Sequence, residues 1–125
     1  MAESSDPVRN SDGPLVHHMR LDEPYFQAMA AGRKRIELRV ADRKRERIRA
    51  GDWIMFTCNG TNAELTVRVA AIRRYASFAD LYQHEEATMI NSAMSATDQL
   101  NGVRAIYQPQ KEALGALAID IALLT

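Results

Sequence analysis

The chain has 125 residues, with sixteen Lys or Arg balanced by sixteen Asp or Glu and a hydrophobic content of 46%. That is enough chain for one domain with a real core. It excludes a run long and apolar enough to span a membrane and, with Cys58 as its one cysteine, an internal disulfide or a cysteine-rich zinc site.

The neutral total hides a local asymmetry. Between Arg33 and Arg49 nine Lys or Arg face three acids, Glu37, Asp42 and Glu46, and the rest of the chain carries the compensating negative charge. Such a field attracts an anionic partner such as RNA; the plainer reading is a solvated loop.

Met1 to Pro14 is rich in Ser, Asp, Asn, Pro and Gly and reads as a disordered tail, not a secretory signal. Residues 15–125 are expected to form a single domain, in the cytoplasm. Leu15 to Leu21 reads as a first strand. Asp22-Glu23-Pro24 is a helix start, and Tyr25, Phe26, Met29 and Ala30 recur at helical spacing up to Gly32, which suits a C-terminal cap. A second strand is predicted over Lys34 to Val40, with Ile36, Leu38 and Val40 on one face and Arg35, Glu37 and Arg39 on the other.

Arg43 to Arg49 reads as a helical turn or exposed loop, followed by a turn at Ala50-Gly51-Asp52. Trp53 to Cys58 forms the third strand and Asn59 to Asn62 a hairpin turn. The fourth strand, Ala63 to Tyr75, alternates until Ile72 breaks phase, which predicts a bulge near Ala71. Ser77 with Asp80, and Ser95 with Asp98, are capping pairs for two helices. In the second, Leu100, Val103, Ile106 and Tyr107 form a stripe read as core. Leu117, Ile119, Ile121 and Leu123 alternate in a final strand. Three successive strands without an intervening helix argue against a doubly wound parallel sheet. The fold class is therefore α+β: a small mixed or antiparallel β-barrel with peripheral helices.

Gly32, Lys34, Glu37 and Arg39 spell Gly-x-Lys-x-x-Glu-x-Arg directly after an amphipathic helix. With Ile48 to Phe56, Ile72 to Leu81 and Ala105-Ile106-Tyr107 before the last strand, this resembles the ASCH domain family over roughly Val16 to Leu123. The resemblance implies a PUA-like barrel with the motif lining a cleft, and RNA or a modified nucleoside as partner. One related branch hydrolyses N4-acetylcytidine with a lysine matching Lys34, a threonine where this chain has Glu37, and a distal glutamate matching Glu85 or Glu86, or aligning instead with Met89. Other members are reported to cleave RNA. A small hydrolase acting on N4-acylated cytidine or a metal-independent ribonuclease is therefore the alternative to a binding protein, with Lys34, Glu37 and Glu85 as its candidate catalytic residues.

Lys34 can hold a phosphate, polarise a carbonyl or act as a base; the plain alternative is a surface ion pair with Glu37. Lys34 and Glu37 lie three residues apart and would point to opposite faces of a regular strand. A shared cleft requires Lys34 to precede the strand or a bulge to intervene. Arg33, Lys34, Arg35, Arg39, Arg43, Lys44 and Arg45 are candidate phosphate contacts. Tyr25, Phe26 and Trp53 are candidate stacking platforms, each otherwise a core residue. No metal or cofactor is expected: His17-His18 diverge on a strand, and His84-Glu85-Glu86 lacks a ligand-spaced partner. Cys58 reads as buried and apolar.

Overall fold

The computed structural model describes residues 13–124, so the tail expected over 1–14 lies almost wholly outside the described residues. The elements run β1 (Val16–Leu21), α1 (Glu23–Ala30), β2 (Ile36–Val40), β3 (Trp53–Cys58), β4 (Glu64–Tyr75), α2 (Phe78–His84), α3 (Ala87–Ile90), α4 (Ala96–Ile106), α5 (Pro109–Glu112) and β5 (Ala116–Leu123). The five strands make one sheet in the order β1-β3-β4-β5-β2, parallel at β1–β3 and antiparallel elsewhere. The sheet curls into a PUA-like half-barrel whose edges, β1 and β2, make no ladder with each other.

Two apolar layers hold the curl. On the concave side, Phe26 and Met29 of α1 pack against Ile54, Phe56, Val67, Val69 and Ile119. Burying each of these two α1 side chains is worth about 1.5–3 kcal/mol. On the other face, Phe78, Leu81 and Ile90 cover Ile36, Val40, Ala116 and Ala118. β5 serves both layers, so Ala116 through Ile119 are all buried, and its alternation is between small and large residues. The expected bulge in β4 is present as a register shift between Val69 and Ala71. Ser77 and Ser95 cap α2 and α4, each accepting from the backbone N–H of the Asp three residues on.

Asp22 behaves differently from its reading as a cap. Its side chain makes no cap bond to α1 and accepts from Asn59 Nδ2 at 2.8 Å. The Gly51-Asp52 pair is architectural. Gly51 adopts φ 93, and the buried Asp52 accepts from the backbone N–H groups of Leu15 and Arg49 and lies 2.8 Å from His17 Nε2. These contacts tie the β2–β3 loop to the start of β1.

Candidate nucleic-acid interface

The motif ends up at the seam between the two edge strands. Gly32 takes φ 81 after α1, and the next two backbone N–H groups, of Arg33 and Lys34, both turn back to Ala28 O. Arg35 N–H goes to Met89 O, so the regular strand starts only at Ile36. The strand is thus two residues shorter than predicted. That satisfies the parity condition, because Lys34 lies before the strand and its ammonium reaches Glu37 Oε1 at 3.2 Å.

Lys34 and Glu37 are 5% and 4% exposed. Lys34 Nζ also donates to Ile36 O at 2.8 Å and Ile90 O at 3.2 Å, so its three N–H bonds have three acceptors. Glu37 Oε2 accepts from Arg39 Nε at 2.7 Å. Arg39 Nη2 then crosses the seam to Arg20 O on β1, at 2.9 Å. Its Nη1 has no partner among the described residues. The row Lys34–Glu37–Arg39 is therefore two cations clamping one carboxylate, held rigid by the backbone on both banks.

Above this floor is a cleft of about 300 Å³, at the small end of ligand pockets. Tyr25 of α1, 39% exposed, presents its ring 5.9 Å from Lys34 Nζ. Tyr82 faces it from α2; burial, then the Tyr25 phenol, pushes its hydroxyl well above the ordinary range. The remaining wall comes from α3, α4 and the turn between them and includes Ile90, Met94, Val103 and Ile106. Gln99 organises that wall. Its two Nε2 hydrogens are shared among the carbonyls of Ala87, Asn91 and Met94 while its Oε1 accepts from the Tyr82 hydroxyl. Arg20, Asp22 and Asn59 form the rim on the β1 side.

Of the residues named from sequence, Lys34, Glu37, Arg39 and Tyr25 line the cleft. Arg33, Arg35, Arg43, Lys44, Arg45 and Trp53 do not. Arg45 pairs with Asp42 at 2.7 Å, whose carboxyl stays below its ordinary range because the Arg45 hydrogen bonds and charge outweigh burial. Phe26 is core.

Glu85 belongs to another cluster. Both its oxygens accept from Arg73, which also binds Asp120, and the Tyr75 hydroxyl donates to it. Glu86 is exposed, and neither glutamate lines the cleft. Ile106, expected in the core, is 73% exposed at the cleft mouth. Tyr82, Gln99 and Met94 were not singled out; one helical stripe was the signal for that wall, and it reads the same whether it packs or lines a cleft. Among the described residues no group of His, Cys, Asp or Glu is placed to hold a metal ion, and no helix is long and apolar enough to cross a membrane.

A curled five-stranded half-barrel with a basic motif at its open seam defines a PUA-like protein. The sequence model of the ASCH domain matches residues 19–125, and the chain belongs to the ASCH domain family. It is similar to hypothetical protein PH0355, with 32% identity, a TM-score of 0.78, and coverage of 87% of this chain and 99% of that one. It is also similar to protein PF0455 from Pyrococcus furiosus, at 31% identity and TM-score 0.67, covering 87% and 97%. ASCH from Zymomonas mobilis shares the fold at 14% identity and TM-score 0.63, covering 86% of this chain and 66% of that one. No curated protein matches the chain.

Proposed function

We propose that this protein binds RNA by taking one unstacked base, or a modified nucleoside, into the seam cleft. The observation that carries the reading is the buried Lys34–Glu37–Arg39 row, an excess cation fixed on the floor of a cleft walled by Tyr25 and Tyr82. Unpaired bases are recognised by aromatic stacking combined with charged contacts. Arg39 Nη1 supplies a donor for a base edge or a phosphate. Tyr25 supplies an exposed ring.

The cleft favours binding over hydrolysis. Glu37, the carboxylate beside Lys34, has both oxygens held by cations, and Glu85 is engaged by Arg73 and Tyr75. A general base must sit within hydrogen-bond reach of the proton it takes; Glu85 lines no part of the cleft, and Glu37 is committed to two charge-assisted contacts that taking a proton would weaken.

The test is binding of single-stranded RNA and of N4-acetylcytidine by calorimetry across a salt series, with acetate release and RNA cleavage assayed in parallel. Wild type should bind, with affinity falling as salt rises. Tyr25→Ala and Arg39→Met, each checked for folding by circular dichroism, should weaken binding tenfold or more. Binding unaffected by both variants would move the site elsewhere. Turnover lost in a folded Lys34→Met variant would replace the binding reading with an enzymatic one.

A further inference from the structure

The outer face of β1, β3 and β4 carries a second set of groups suited to nucleic acid. The register places Arg20 beside Thr57 and Glu64, His18 beside Met55 and Thr66, and Val16 beside Trp53, which sits across from Arg68. His18, Arg20 and Arg68 are exposed and Trp53 is half-buried. Arg20 also lines the cleft, so this face begins at the cleft's own bank. It runs four residues along β1 to the Trp53 row, about 13 Å at a strand rise of about 3.3 Å per residue.

The charges on this face are available. Arg20 is held by two neutral acceptors, Asn59 Oδ1 at 2.6 Å and Asn62 Oδ1 at 3.1 Å. The guanidinium is fixed in place without a carboxylate to cancel it. The Arg68 side chain makes no hydrogen bond or ion pair with any described residue. Glu64 is the one carboxylate in these rows, at the end of the Arg20 row away from β1. Cations set to either side of an aromatic ring across one sheet face match a polymer that alternates phosphates with bases.

We infer that the ligand is an RNA strand longer than the nucleotide in the cleft. Its backbone leaves the cleft past Arg20, follows the outer face of β1 by His18, and crosses β3 toward Arg68 on β4, with a neighbouring base stacked on Trp53. The inference rests on the cleft reading above and extends it: the cleft selects one base, and this face supplies affinity that grows with RNA length.

Trp53 is the chain's one tryptophan, so its emission reports directly on this face. The experiment titrates the protein with mixed nucleoside 5′-monophosphates and with mixed-sequence hexaribonucleotides, following affinity by calorimetry and Trp53 emission by fluorescence. Hexamers should bind at least tenfold tighter than monophosphates and quench Trp53, while monophosphates leave its emission unchanged. Arg68→Ala, at an exposed position, should remove part of the hexamer advantage and lower the salt slope by about 0.7, one phosphate contact for a single strand. Its monophosphate affinity should stay at the wild-type value.

Hexamers that bind no tighter than monophosphates, or tighter with Trp53 emission unchanged and Arg68→Ala without effect, would overturn the outer-face path. The cleft reading would survive that result if Tyr25→Ala still weakened monophosphate binding. No binding of either ligand would overturn both.

Discussion

Glu37→Gln probes the centre of the seam with almost no change in shape. In the wild type one carboxylate oxygen faces Lys34 Nζ at 3.2 Å and the other faces Arg39 Nε at 2.7 Å. An amide can present only one acceptor oxygen. Its NH2 group must then meet a cationic donor, and the surviving bond becomes weaker. Hydrogen bonds to charged groups are worth about 1.5–3 kcal/mol each, and the Lys34 and Glu37 side chains are 5% and 6% exposed, so water cannot replace what is lost. Losing one bond and weakening the other costs about 3 kcal/mol, near the range for breaking a buried ion pair. At a urea m-value of about 1.5–2 kcal/mol/M this lowers the unfolding midpoint by about 1.5–2 M. Adding Lys34→Met removes one stranded cation, so the double variant should be at least about 1 kcal/mol more stable than the sum of the single losses requires. A Glu37→Gln midpoint within about 0.3 M of wild type would refute the reasoning, because it would mean the clamp contributes nothing in solution.

Gln99→Leu should destabilise by about 2–4 kcal/mol by denaturation, since it removes the side-chain donor shared by the carbonyls of Ala87, Asn91 and Met94 and leaves the Tyr82 hydroxyl without its acceptor; a neutral result would mean α4 holds its place by packing alone. The Glu85 carboxyl lies below its ordinary value of 4.5 because the Arg73 hydrogen bonds, with help from Tyr75, outweigh burial. With the folded pKa below the unfolded one, its contribution is present above the unfolded value and is lost as pH falls through the folded one. Arg73→Met should therefore flatten the acid limb of stability against pH, with the two proteins converging below pH 4.5; parallel urea-midpoint curves would contradict this.

The strands were legible where one face meets the core and the other meets solvent. β3 matched its predicted bounds because Ile54, Phe56 and Cys58 are buried between half-buried neighbours. β5 was legible as a strand but not as the shared wall of two apolar layers. Ala116 and Ala118 are too small to signal burial, yet their size is what lets the helices pack against the sheet. The openness of the barrel left no mark in any strand's alternation, since pairing partners are not written in a strand's own period.

The site divides the same way. Lys34, Glu37 and Arg39 are close in sequence, and one strand start decides whether they meet. Tyr82, Met94 and Gln99 join them only after four strands have been placed, from α2, the turn after α3, and α4. The Gly-x-Lys-x-x-Glu-x-Arg spacing has a physical sense beyond ligand contact. Glu37 and Arg39 point inward from an edge strand, and inward charges are a device that keeps an edge from pairing. Arg35 N–H is diverted to Met89 O, and Arg39 reaches Arg20 O by side chain where a closed barrel would use a backbone ladder. An apolar pair at these two positions should let β2 approach β1, a shift that a crystal structure of the Glu37→Leu/Arg39→Leu variant would show and an unchanged β1–β2 spacing would contradict. The charged row holds the edges apart at the distance of one arginine side chain, so the residues that would contact a ligand are also the ones that keep room for it.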